Sequence, residues 1–340
     1  MISPERLSQL LLELYRGSTE VPAERFLNWA FDRLRADLPF DSGIWVSGAA
    51  GDAVPVLYAL HLDRQPAQML VDYEPVRPYD SIFPRVVANQ GRAVHADAFA
   101  EMPEHCWPYL KRYGLTLGLC VLKVDPVSGL LNSITLYRCD GEHRFSDDDA
   151  ALLEAVFPHL RVVDRVSKMQ RFKQEAGATA ATVGGFATCD PTGELRYLDE
   201  AFKSLLIQAW PGWRGPGLPA EWHALLVKGR TGVPMPGQLV ATSQPHHDGL
   251  PAGAHGWLLH LRPANPLDLL PLRLREVADA LVAGRTYKQI AKDLGIAPTS
   301  VRNHMAAINR RLGVNSRAEL AARLRPAEPH QQLPAKSEQR

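Results

Sequence analysis

The sequence predicts a multidomain chain, with two α+β modules followed by an all-α four-helix module at the carboxyl end. Three observations carry this expectation. The 340 residues exceed the roughly 100–200 typical of one domain. Strand-like alternation persists only to about Pro263, and from Leu270 onward apolar residues recur at helical spacing, broken by Gly284, Gly295 and Gly313. A hydrophobic content of 46% with 22% charged residues fits a folded globular chain and excludes the collagenous and wholly disordered classes.

The first module is expected over residues 1–170. Helical periodicity covers Pro4 to Tyr15 and Ala23 to Leu38. Alternating or apolar runs at Gly43 to Val46, Val54 to His61, Gly118 to Lys123 and Asn132 to Arg138 predict strands, the last two joined by the turn residues Asp125 to Gly129. Ser146 with the three aspartates that follow caps a long amphipathic helix, whose Leu152, Leu153, Val156, Leu160, Val163 and Val166 recur at three and four residues. An Ala/Thr/Gly-rich linker leads to the second module, over 177–263. There Gly185 to Tyr197 predicts two strands around an Asp-Pro-Thr-Gly turn, a short helix with Phe202 and Leu206 follows, and Gly237 to Ser243 and Trp257 to Arg262 supply returning strands.

The third module, 267–326, is expected to hold four helices. Leu274, Val277, Ala278 and Leu281 form the inner stripe of the first, which stops at Gly284. Thr286 and Gln289 make a capping box for the second, with Ile290 and Leu294 facing inward. Pro298 opens the third, where Val301, Met305, Ile308 and Leu312 repeat at four, three and four. Ser316 and Glu319 cap the last, which carries Leu320 and Leu324. Residues 327–340 are expected to be a disordered tail.

Charge divides along the same lines. Between Leu269 and Arg325 eleven Lys and Arg stand against four Asp and Glu, a balance of +7, whereas residues 1–268 carry 25 against 31, a balance of −6. A basic module on an acidic body points to a polyanionic partner at one end. Two short helices joined by a Gly turn, the second longer and basic, form a helix-turn-helix, whose second helix enters the major groove of duplex DNA. With Val301, Met305, Ile308 and Leu312 inward, Ser300, Arg302, Asn303 and Ala306 face outward near the helix start. Arg302 and Asn303 have the donor and acceptor chemistry to read guanine and adenine edges. Lys288, Lys292, His304, Arg310 and Arg311 are better placed on phosphates.

Other classes find little support. Phosphate-loop, dinucleotide-fold, nucleophile-elbow and HExxH motifs do not occur, so neither an enzyme nor a bound cofactor is expected. Four cysteines without a CxxC pair predict neither disulfides nor zinc, and His246-His247 lacks a third ligand at usable spacing. The amino end lacks an apolar signal core and the longest apolar stretch is far below a bilayer span, so a cytoplasmic protein without membrane contact is expected.

At the carboxyl end the residues resemble the LuxR-type helix-turn-helix of bacterial transcription factors. The pattern stands here as Arg275-Glu276-Val277, Gly284, Lys288-Gln289-Ile290-Ala291, Ser300-Val301-Arg302-Asn303-His304, Arg310-Arg311-Leu312-Gly313-Val314 and Arg317-Ala318-Glu319. Departures are Pro271-Leu272 at the opening and Ala297 where a Ser usually caps the third helix. The resemblance implies a transcriptional regulator that binds DNA as a homodimer, pairing through Ala318, Leu320, Ala321 and Leu324, and that contacts RNA polymerase if it activates.

The order of elements in residues 20–170, with FSDDDAALLEAVFPHL opening the closing helix, resembles the GAF class of small-molecule sensors. It is also similar to the acyl-homoserine-lactone-binding domain of quorum sensors. Against that domain's ligand residues, Met69 stands for a Trp, Tyr73 matches a Tyr, Asp80-Ser81 replaces Asp-Pro and His95 replaces a second Trp. With Tyr58 these make a candidate effector site for a small, partly apolar molecule other than a lactone. The second module resembles the opening of a PAS domain. Alternative readings are a divergent lactone-type quorum-sensing regulator and a non-enzymatic ligand-binding scaffold that uses its basic end for protein contact.

Overall fold

A computed structural model describes residues 2–50, 56–175, 184–226, 232–246, 256–265, 268, 270–316 and 318–320. In chain order the first elements are α1 (Pro4–Glu20), α2 (Ala23–Arg35), β1 (Ser42–Ala49), β2 (Val56–Asp63), α3 (Gln68–Tyr73), α4 (Ile82–Ala88), β3 (Val94–Asp97), α5 (Ala98–Glu101), α6 (Trp107–Tyr113), β4 (Leu117–Val124), β5 (Leu130–Arg138) and α7 (Asp147–Glu175). They are followed by β6 (Gly185–Cys189), β7 (Leu195–Leu198), α8 (Glu200–Ala209), α9 (His223–Leu226), β8 (Val233–Met235), β9 (Leu239–His246) and β10 (Gly256–Pro263). The last are α10 (Leu272–Val282), α11 (Tyr287–Asp293) and α12 (Pro298–Leu312). The first sheet runs β2-β1-β5-β4-β3 and is antiparallel throughout; the second runs β7-β6-β10-β9-β8. The chain divides into two units, residues 1–231 with 241–261 and residues 232–240 with 262–340.

In the first unit the sheet is covered on both faces. Side chains alternate across a strand, so Trp45 of β1 turns to a core with Phe26, Phe31, Leu34, Leu153, Val156 and Phe157, supplied by α2 and α7. Its neighbour Ile44 turns to the opposite side, where Met69, Leu110 and Tyr113 pack under α3 and α6. That second layer is where the expected pattern was incomplete: α3 to α6 and β3 fill residues 68–113. Their helices are only four to seven residues long, too short for a 3.6-residue period to show.

The α7 helix begins where the Ser146 cap predicts. Asp149 N–H donates to Ser146 Oγ at 3.2 Å, and Ser146 N–H donates back to Asp149 Oδ2 at 2.9 Å. The helix runs on past the first sheet to Phe172, which is buried with Phe186 of β6 and Leu258 of β10. Asp199 ties that second sheet to α8, taking the Phe202 N–H at 2.7 Å and the Phe186 N–H at 2.9 Å. At Gly185 any Cβ would lie 1.9 Å from the Phe202 nitrogen, so only glycine lets β6 approach α8 this closely.

The second unit holds α10, α11 and α12 around Leu274, Val277, Leu281, Ile290, Val301, Met305, Ile308 and Leu312. Ala318 to Leu320 are helical and Leu320 is buried. Ala321, Leu324 and the tail 327–340 lie outside the described residues, as do His247 and residues 177–183 of the linker. No helix among the described residues is long and apolar enough to cross a membrane.

Candidate nucleic-acid interface and effector face

The helix-turn-helix geometry is set by three local devices. Thr286 Oγ1 accepts the Gln289 N–H at 3.3 Å while Gln289 Oε1 accepts the Thr286 N–H at 2.8 Å, a complete capping box that fixes where α11 begins. Gly295, at φ +63, turns the chain out of α11, and the Ile296 N–H closes the turn on Ala291 O at 3.0 Å. Pro298 at the first position starts α12, and Gly313, also at φ +63, ends it. As Ala297 predicts, α12 has no side-chain cap. The final cap differs from expectation: Glu319 N–H donates to Ser316 Oγ at 3.0 Å, but the Glu319 carboxylate accepts the N–H of Asn315, one residue before the cap, at 2.8 Å.

Burying Val301, Met305, Ile308 and Leu312 leaves Arg302, Asn303, Ala306, Arg310 and Arg311 exposed, with Ser300 and His304 half-buried. Lys288 and Lys292 are exposed on α11. Net charge alone does not separate the cations, but pairing does. Arg273 is held by Glu276 at 2.8 Å, and Arg285 is paired with Asp293. Among the described residues, Lys288, Lys292, Arg302, Arg310 and Arg311 have no carboxylate partner. Five uncommitted cations on two adjoining helices form a surface matched to a polyanion.

The five candidate effector residues separate. Met69 is buried beneath α3 and α6, and Tyr73 packs against the same cluster. The Tyr73 hydroxyl donates to Asp80 Oδ2 at 2.6 Å, while Asp80 Oδ1 accepts the Ile82 and Phe83 N–H groups at 2.9 and 3.0 Å, anchoring α4. Burial, and then the Asp80 charge, push the Tyr73 phenol well above its usual range, so it is a fixed donor. His95 lies elsewhere, exposed on β3 with Nε2 3.9 Å from Asp147. Tyr58 of β2 lies under the Arg196 guanidinium, 3.9 Å from its ring centre, and burial pushes its phenol up to about 12. Sequence spacing did not single out Tyr109, whose ring lies 6.1 Å from that of Tyr73 and 5.2 Å from that of Tyr113. The Tyr109/Tyr113 spacing of one helical turn is the signal that could have found it.

Residues 268–324 match the family model of the bacterial regulatory proteins of the luxR family, GerE type. The transcriptional regulatory protein UhpA of Escherichia coli is 42% identical over 57 residues, 17% of this chain and 29% of that protein, so the chain spans under a third of this relative's length. The spore germination protein GerE of Bacillus subtilis is 41% identical over 56 residues, 16% of this chain and 76% of that protein. Among solved structures, the N-acylhomoserine lactone dependent LuxR family factor CepR2 of Burkholderia cenocepacia is 22% identical. It covers 48% of this chain and 97% of its own, with a TM-score of 0.37.

Proposed function

The chain belongs to the luxR family of bacterial regulatory proteins, and from that membership we propose that it is a sequence-specific DNA-binding transcriptional regulator controlled by a small molecule. The uncommitted cations of α11 and α12 are the observation that carries the reading. Arg302, one residue after the buried Val301, and Asn303 read base edges, with Ser300 and Ala306 beside them on the groove side. Lys288, His304, Arg310 and Arg311 hold phosphates. The protein acts as a homodimer on an inverted repeat with half-sites about one helical turn apart, and contacts RNA polymerase where it activates.

In this reading, residues 1–170 are a GAF-like sensor, 177–263 a PAS-like module and 267–326 the DNA-binding module, with no catalytic step in any of them. The effector sits against Met69, Tyr73 and Asp80, where an apolar wall adjoins a fixed hydroxyl and a carboxylate. Binding of the full chain to duplex DNA at several salt concentrations tests the central claim. Affinity that falls steeply with salt supports it, and affinity for a protein ligand with none for DNA returns the scaffold reading.

A further inference from the structure

The β4–β5 turn, β5 and β1 on one side and β7 and α8 on the other enclose a cleft along α7. Cations crowd it, and among the described residues all but one are paired with a carboxylate. Lys203 bonds Asp125 at 3.0 Å and Glu200 at 2.7 Å. Arg165 reaches Glu200 at 3.2 Å, Lys168 holds Asp164 at 2.7 Å, and Arg196 holds Asp190 at 3.0 Å. Arg161 has no carboxylate among the described residues. Its Nε donates to Asn132 Oδ1 at 3.4 Å, and Asp164, one turn along the same helix, is taken by Lys168.

This leaves a half-buried guanidinium in the cleft with Arg165 four residues on. Burial first, and then Arg165, disfavour its charged form, and the more distant charges of Asp125 and Glu200 only partly offset them. A guanidinium does not release its proton in the physiological range, so the penalty stands until a counter-charge arrives. The polar groups around it are arranged for that arrival. The Asn132 amide donates to Ser47 Oγ at 3.0 Å, leaving the Ser47 hydroxyl proton for a further acceptor, whereas the Ser128 hydroxyl is already spent on Asp125 at 3.0 Å.

We infer that this cleft binds a small oxyanion, a carboxylate or phosphate group, clamped by the Arg161 fork and the Ser47 hydroxyl. One cation without a directly bonded carboxylate calls for one negative charge, and a forked donor matches two oxygens on one centre. The site lies on the α7 side of the first sheet, opposite Met69 and Tyr73. Its walls, from β1, β5, α7, β7 and α8, all lie within the first unit, and the two clamping groups stand on α7 and β1. It involves no residue of 268–324 and stands apart from the DNA-binding reading.

Isothermal titration of the full chain at fixed chloride, with inorganic phosphate in one arm and acetate in the other, tests the site. Saturable binding with a dissociation constant below about 10 mM is expected in at least one arm. Phosphate alone identifies a phosphorylated ligand, and acetate binding identifies a carboxylate. Arg161→Gln should weaken binding at least about tenfold and melt no lower than the native chain, because it removes an unpaired charge. Arg161→Lys should fall between the two, and Arg92→Gln, whose partner is Glu154 on the surface, should bind as the native chain does. Absence of saturable binding in both arms, or equal affinity in native and Arg161→Gln protein, overturns the inference. If Arg161→Gln does not fold, Arg161→Lys decides: affinity equal to native overturns it, and a severalfold loss supports it.

Discussion

Removing single cations from the helix-turn-helix should change the salt dependence of DNA binding in a pattern set by pairing rather than by exposure. Each phosphate contact contributes about 0.9 to the slope of log K against log salt. The four cations assigned to phosphates that have no carboxylate partner among the described residues, Lys288, Lys292, Arg310 and Arg311, therefore predict a slope of about −3.6 per protomer if all four engage. That corresponds to roughly a 150-fold loss of affinity between about 50 and 200 mM salt. Lys288→Ala should flatten the slope by about 0.9 on every sequence. Arg285→Gln should leave it unchanged, because Arg285 is already committed to Asp293. Arg302→Ala should cost about 1–3 kcal/mol and blur preference at one base position. Fluorescence anisotropy with a labelled duplex, combined with site selection from a random pool, reads all three. The reasoning is refuted if Arg285→Gln flattens the slope as much as Lys288→Ala does, or if Arg302→Ala keeps native base preferences and merely binds more weakly, which would leave DNA shape as the source of specificity.

Ala297→Ser should supply the missing cap of α12, stabilising its start by about 1 kcal/mol, and slowed amide exchange at Thr299 and Ser300 would register it. Ile308→Ala, at the centre of the second unit's core, should destabilise that unit by about 2–5 kcal/mol in denaturant unfolding and abolish DNA binding near its midpoint. Burial alone would raise the Asp125 carboxyl, but the Ser128 N–H, the Lys203 ammonium and the Ser128 hydroxyl outweigh it and lower the group to about 2. A depressed carboxyl stabilises the fold above its ordinary value near 3.8 and loses that contribution as pH falls toward 2. Asp125→Asn should therefore cost about 2 kcal/mol at neutral pH, with the gap to the native protein closing between about pH 4 and pH 2 in acid-titrated unfolding curves.

What was legible in the sequence followed from locality. The Thr286/Gln289 box, the Gly295 turn and the inner stripe of α12 are each written within a few residues, and the structure reproduces them. The Ser146 cap of α7 is local in the same way. The 68–113 layer was not legible, because its short helices are stabilised by burial against Ile44 and Tyr137 rather than by their own periodicity. The effector candidates show the same limit. Tyr73 and Asp80, seven residues apart, meet, but nothing local shows that Tyr58 turns toward Arg196 or that His95 sits beside Asp147. The unpaired state of Arg161 is harder still, since it depends on where Lys168, Lys203 and Glu200 spend their charges.

The α7 helix also constrains how such a protein can diversify. Its first turns pack into the first sheet and Phe172 into the second, so one rod sets the angular phase of both. A single inserted residue between Val163 and Phe172 would rotate everything beyond it by about 100°. Seven residues would nearly restore the phase yet slide the second sheet by about 10 Å, far beyond the reach of the Lys203 bond to Asp125. Length variation is thus forbidden in this stretch even though much of its surface is polar. An amino-terminal half exchanged between proteins has to travel as one block that includes residues 147–175 and both sheets, and chimaeras joined inside the rod should fail whatever the quality of their individual modules.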